Sequence, residues 1–213
     1  MDIEMNMDCH EYLPVLAEFL GFEQQILEDF YTALPDIPRW GGGTVEPAVA
    51  QMLYIITRAL EPRSALEFGT NLGYSTAFIA RALLDNHLGF LDTWDIDTQV
   101  VKEALEHLDQ LAISHRVASH IGDTTQDVDK QLKTHDVQLD LVFIDSSHQY
   151  EATKIEIATV LKYMKSGVIL FHDAVSPISG VTTVLKEMEE QGIYDILTIP
   201  TQPNTGFGII MVR

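Results

Sequence analysis

The sequence predicts an α/β fold: a seven-stranded, mostly parallel sheet with a C-terminal antiparallel hairpin strand, helices on both faces and an N-terminal helical extension. Three observations predict it. Between residues 65 and 188, short apolar runs alternate with segments whose apolar residues recur at helical spacing. Alternation of that kind builds a parallel sheet covered by helices. The run at 139–145 is almost wholly apolar, as a strand buried on both faces requires. Finally, strand-like runs at 195–201 and 206–212 are separated by four residues. That gap is too short for a crossover helix, so the two runs pair antiparallel.

Residues 11–34 read as helix in two pieces, broken near Pro14 and Gly21, with Phe22, Ile26, Leu27 and Phe30 at helical spacing. Such a segment serves either as a lid over a site or as a packing arm between two copies of the chain, which makes a homodimer an expected partner. Residues 35–43 form a loop rich in proline and glycine, in which Trp40 is either a substrate contact or a hydrophobic anchor. Residues 1–43 are thus an extension ahead of a domain at 44–213.

Residues 44–60 are helical, with Thr44 as cap and Pro47 in the first turn. The apolar stripe is Val45, Val49, Met52, Leu53, Ile56 and Leu60. Strands follow at 65–68, 89–95, 116–121, 139–145 and 168–173. Between them lie helices at 75–84, through Val100 to Leu111, at 126–132 and at 150–164, and a last one runs through Val181 and Met188.

The formal charge is −19. Nucleic-acid binding rests on Lys and Arg neutralising phosphates, and anionic membrane surfaces attract the same residues. No nucleic-acid and no membrane partner is therefore expected; a small neutral or cationic substrate is. No apolar run approaches the roughly 20 residues that span a bilayer. Residues 1–10 are acidic, without a signal-peptide pattern, and Cys9 is the single cysteine. A cytoplasmic location is the expectation.

Residues 65–75 read as a buried strand, a glycine turn and a helix start. A helix start offers free N–H groups and partial positive charge to a ligand carboxylate or phosphate. Gly69 and Gly73 lie four apart with no third glycine at the dinucleotide spacing, which argues against NAD. Glu67 at the strand end would repel a pyrophosphate but suits a ligand ammonium group. The five strands end at Glu67, Asp95, Asp123, Asp145 and Asp173. One such acid is an ordinary turn former, but five converge on the sheet edge where α/β proteins bind ligands.

The pattern E-x-G-x-x-x-G-x-S at 67–75, with those acids at their intervals, resembles the class I S-adenosylmethionine (SAM) methyltransferases over residues 44–213. The resemblance implies a Rossmann-like domain with SAM as cofactor. Its cofactor-binding residues would be Glu67, Gly69, Thr70, Gly73, Ser75, Asp95, Asp123 and Asp145. Asp95 would grip the ribose hydroxyls, with Asp97 as second choice; Asp123 would meet the adenine amino group, and Ser75 the methionine carboxylate. Residues 143–151, with Lys165-Ser166-Gly167 and Phe171-His172-Asp173, are similar to the O-methyltransferase branch that acts on sugars and antibiotics. Gly43 to Pro47 and Gly73 to Ser75 resemble the catechol and caffeoyl-CoA type, which holds a divalent metal. By that resemblance Asp145 and Asp173 would be metal ligands for Mg²⁺, with His172 or waters completing the shell, because Ala174 stands at the asparagine position.

A sulfonium methyl is already electrophilic, so the protein has to align an acceptor oxygen and take its proton. His148, three residues past the fourth strand, is the base candidate, and Asp145 is the other expected catalytic residue. Mg²⁺ is the alternative activator. His87, His107 and His120 read as surface residues. The expected activity is methyl transfer to a hydroxyl of a small molecule such as a sugar or phenol. The alternatives are N-methylation and SAM binding without catalysis. Residues 174–180 and the N-terminal segment are the expected substrate contacts.

Overall fold

A computed structural model describes residues 24–33, 37–40, 43–134, 137–202 and 204–213. Cys9 and the expected helix at 11–23 lie outside them. In chain order the elements are α1 (Gln24–Ala33), α2 (Pro47–Leu60), β1 (Ser64–Phe68), α3 (Tyr74–Asp85), β2 (Phe90–Asp95), α4 (Thr98–Gln110), a 3₁₀ turn (Ser114–Arg116) and β3 (Val117–Ile121). They continue as α5 (Val128–Leu132), β4 (Leu141–Ile144), α6 (Tyr150–Leu161), β5 (Gly167–Phe171), α7 (Gly180–Gln191), β6 (Asp195–Gln202) and β7 (Thr205–Val212). The seven strands form one sheet in the order β3-β2-β1-β4-β5-β7-β6. Among the described strands β7 is reversed relative to the rest of the sheet, slotted antiparallel between β5 and β6.

Successive residues of a strand face opposite sides, and the sheet uses both. Leu141 and Phe143 of β4 join a core with α1, α2 and α3, whereas Val142 and Ile144 join a second core with α5, α6 and α7. This is why the strand is apolar throughout. Phe30 of α1 is fully buried beside Tyr54, and Asp29 pairs with Arg58 at 2.7 Å, so α1 packs on α2.

α2 begins at Pro47 rather than at residue 44. The residue before a proline is pushed out of the helical region, and Glu46 is extended (φ −65, ψ 152) with no capping hydrogen bond from its side chain. Thr44 is therefore not the cap, and the Glu46 carboxylate is free to reach across the sheet. Two glycines have identifiable steric reasons. Gly69 has φ 97, and a Cβ there would lie 2.2 Å from the Asp145 carbonyl oxygen. Gly73 has φ 84, and its Cβ would press on Ala104 of α4 at 3.1 Å, so it serves helix packing.

Candidate active site

Strand register brings the chemistry together. Phe68 pairs with Trp94 and Ile144, and Ile144 with Phe171. The residues that follow, Gly69, Asp95, Asp145 and His172, consequently emerge at one rim. A cavity of about 790 Å³ opens there, walled by Gly43–Val45, the glycine loop and the ends of β2 to β5. Trp94, Ile96, Val100 and Ala152 give it apolar surface.

Beneath the glycine loop, Glu67 is fully buried and takes three hydroxyls: Ser75 at 2.6 Å, Thr76 at 2.5 Å and Thr93 at 2.6 Å. Thr93 gives its proton to Glu67, so Thr70, 2.6 Å away, must be the donor between the two threonines. Burial pushes the Glu67 carboxyl up to about 7, against the pull of those hydroxyls. Glu67 does not line the cavity. Its carboxylate acts on the helix start through Ser75 and Thr76. Asp95 does line it, accepting the Asn71 N–H at 2.9 Å and the Asp97 N–H at 3.0 Å, one on each oxygen. Asp97 itself caps α4 through Gln99 and Val100. Asp123 lines the cavity, yet Thr125 and Gln126 of its own loop engage both its oxygens.

The ends of β4 and β5 carry a tight cluster. Asp145 Oδ1 lies 2.9 Å from His148 Nε2 and 3.2 Å from His172 Nδ1. Asp173 Oδ2 is 3.5 Å from His148 Nδ1 and 3.6 Å from His172 Nδ1. The far side of His172, Nε2, meets Glu46 Oε2 at 2.8 Å, and Thr205 of the hairpin donates to Glu46 Oε1. Burial opposes charge here, but the reciprocal hydrogen bonds outweigh it. Glu46 is held down at about 2 and His172 is pushed up to about 10. Asp145 is likewise held below the usual carboxylate range by both imidazoles, and its charge with that of Asp173 raises His148. His148 and Asp173 sit at φ 54 and φ 55, the left-handed region that non-glycine residues avoid unless their surroundings hold them there.

A methyltransferase-domain family matches residues 66–174, the stretch that carries this loop and cluster. The chain belongs to this family. It is 25% identical over 131 residues to the catechol O-methyltransferase of Niastella koreensis, covering 62% of this chain and 58% of that protein. The chain thus spans about 58% of the length of the curated relatives it matches. Among solved structures it superposes on the SAM-bound O-methyltransferase TomG of Streptomyces achromogenes (TM-score 0.67, 22% identity, 97% of this chain and 99% of that one). It also superposes on the Bacillus cereus O-methyltransferase in complex with SAH (TM-score 0.68, 19% identity, 94% and 96%). The methyltransferase domain therefore has the class I, Rossmann-like fold. No helix among the described residues is long and apolar enough to cross a membrane.

Of the expected site residues in this methyltransferase domain, Gly69, Thr70, Ser75, Asp95, Asp123, Asp145, His148, His172 and Asp173 all line the one cavity. Glu67 and Gly73 stand behind it. His107 and His120 are half-buried and not fully exposed, His107 stacked on Trp40 at 4.0 Å and His120 on Trp94 at 4.8 Å. That stacking makes Trp40 an anchor, and it does not line the cavity. Sequence reasoning missed Glu46, Thr76, Thr93 and Glu156. The one available signal was Glu46 before Pro47, a charged residue barred from the helix it precedes.

Proposed function

We propose that this chain is a SAM-dependent methyltransferase acting on a hydroxyl of a small molecule. The observation that carries the reading is the Asp145–His148–Asp173 group lying in the same cavity as the glycine loop and Asp95. Asp95 keeps a lone pair on each oxygen for two ribose hydroxyls, each such charged hydrogen bond contributing roughly 1.5–3 kcal/mol. The glycine loop and the start of α3 take the methionine end. Asp145 holds His148 Nε2–H, which leaves Nδ1 to accept the acceptor's proton. As the hydroxyl loses that proton to His148, its oxygen bonds the methyl carbon, the carbon–sulfur bond breaks and sulfur leaves as a thioether.

A second cavity of about 670 Å³ shares Ser147, His148, Gln149 and Asp173 with the first and continues along residues 176–180. This shared wall supports a reading in which the acceptor lies in one cavity and the donor in the other, with His148 between them. Among the described lining residues of both cavities there is no lysine or arginine, so the histidines are their only basic side chains.

The donor set also fits a divalent cation. Asp145, His148 and His172 each offer a ligand atom within 4.8 Å of the others. The Glu46 carboxylate behind His172 is the support that metal-bound imidazoles usually have. Two imidazoles suit a transition metal better than Mg²⁺, which prefers oxygen. A bound cation would acidify the acceptor hydroxyl; the protein residues would still align it.

The test is titration with SAM and S-adenosylhomocysteine, followed by labelled methyl transfer to a panel of hydroxylated and amine acceptors. Each assay is run with chelator, Mg²⁺ and Mn²⁺. Turnover on hydroxyls supports the reading. Turnover on amines alone makes it an N-methyltransferase, and binding without turnover makes it a SAM-binding protein. No binding of either compound overturns the reading.

A further inference from the structure

Behind the cavity wall lies a carboxylate that the methyl-transfer chemistry does not use. Glu156, on the second turn of α6, is 1% exposed. Its Oε1 accepts the hydroxyl of Thr124, from the loop after β3, and that of Ser146, from the loop after β4, at 2.6 Å for the serine. Its Oε2 is buried with no hydrogen-bond partner among the described residues. Thr124 and Ser146 both line the main cavity.

A hydroxyl has one proton. Both residues direct theirs inward to Oε1, so each presents only lone pairs to the cavity. If Glu156 is protonated at Oε2, Oε1 is still the acceptor and the polarity is unchanged. Two neighbouring acceptors on a cavity wall are matched by a ligand group that donates. Asp123 has less to offer: its Oδ1 already accepts the N–H and the hydroxyl of Thr125, and its Oδ2 the Gln126 amide, which leaves one lone pair on Oδ2.

We propose that Glu156 is a specificity-determining positioning residue: by orienting the Thr124 and Ser146 hydroxyls, it makes the cavity select a purine bearing an exocyclic amine. The inference rests on the SAM reading above and on the base lying past Asp95 toward these loops. A purine with a carbonyl at that position would set lone pairs against lone pairs.

The experiment measures calorimetric affinities of S-adenosylhomocysteine and of its deaminated analogue, S-inosylhomocysteine. They are measured for wild type, Glu156→Gln and the double variant Thr124→Val/Ser146→Ala. Wild type should prefer the adenosyl compound by about 30-fold or more, the size expected when a buried polar group loses its partner. In Glu156→Gln the amide can donate to the two hydroxyls and let their protons turn outward, so the preference should shrink to within about threefold. The double variant should lose it equally, and it decides the matter if Glu156→Gln does not fold. A wild type that binds both compounds alike, or variants that keep the preference, overturns this inference and leaves the SAM reading intact. A wild type that binds neither overturns both.

Discussion

His172 and Glu46, 126 residues apart in the chain, meet through a hydrogen bond of 2.8 Å between Nε2 and Oε2. The contact ties the segment before α2 to the end of β5. Through Thr205 it also ties the β6–β7 hairpin to both. His172 thereby sits between two carboxylates, Glu46 behind and Asp145 in front, so its ring cannot rotate without breaking a charged hydrogen bond to the first and an ion pair with the second.

Replacing Glu46 with Gln should destabilise the fold in a pH-dependent way. Glu46 falls from 4.5 to about 2 on folding, so its contribution is present above pH 4.5 and is lost as pH falls through about 2. His172 rises from 6.5 to about 10, so its contribution is present below pH 6.5 and is lost as pH rises through about 10. The pair stabilises most between those limits. Loss of one charged hydrogen bond costs about 2 kcal/mol, or about 4–8 °C in Tm for a chain of this size. Thermal melts of wild type and Glu46→Gln from pH 3 to 10 should show the widest gap near pH 5–6. A gap that does not vary with pH would show that the contact is steric and not ionic.

Methyl transfer should switch on with rising pH. A base acts only as the free imidazole, and Asp145 and Asp173, overcoming burial, raise His148 above 6.5. The midpoint of kcat/KM against pH should therefore lie above that ordinary histidine value. Asp173→Asn removes one raising charge and should move the midpoint down. His148→Ala should cost about 10²–10⁴ in kcat, the usual worth of a positioned base. A pH profile in which His148→Ala keeps the wild-type midpoint would remove this residue from the proton transfer.

How much of this was legible in the sequence follows from what periodicity encodes. The strand at Leu141–Ile144 was readable because a strand between two cores has no polar face to show. The hairpin was readable because four residues cannot carry a crossover. Asp145, His148, His172 and Asp173 were readable as neighbours because parallel strands in register end at one rim. Three features were not readable. The side to which a buried acid turns is set by its partners, and those of Glu67 lie on α3 and β2. Asp123 also accepts hydrogen bonds within its own turn, local contacts that spacing does not reveal. Glu46 gains its role only from a residue brought close by the whole intervening sheet.

Glu67 either props the glycine loop from below or clasps the ligand's ammonium group directly, and its titration and substitution separate the two. Its folded carboxyl lies at about 7, above the ordinary 4.5. The folded state therefore holds a proton that the unfolded chain has released, and stability falls as pH rises from 4.5 through 7. A shift of that size corresponds to on the order of 3 kcal/mol. Glu67→Gln cannot titrate, so its stability curve should be flatter than wild type across pH 5–8, as denaturant midpoints would record. The glutamine can still bond Ser75, Thr76 and Thr93 once a hydroxyl reverses. Affinity for S-adenosylhomocysteine should accordingly drop by less than about tenfold, since the loop is propped from below and loses only a fraction of one charged hydrogen bond. A loss of more than about a hundredfold, with the fold intact, would mean that the carboxylate turns upward on binding and clasps the ligand's ammonium group directly.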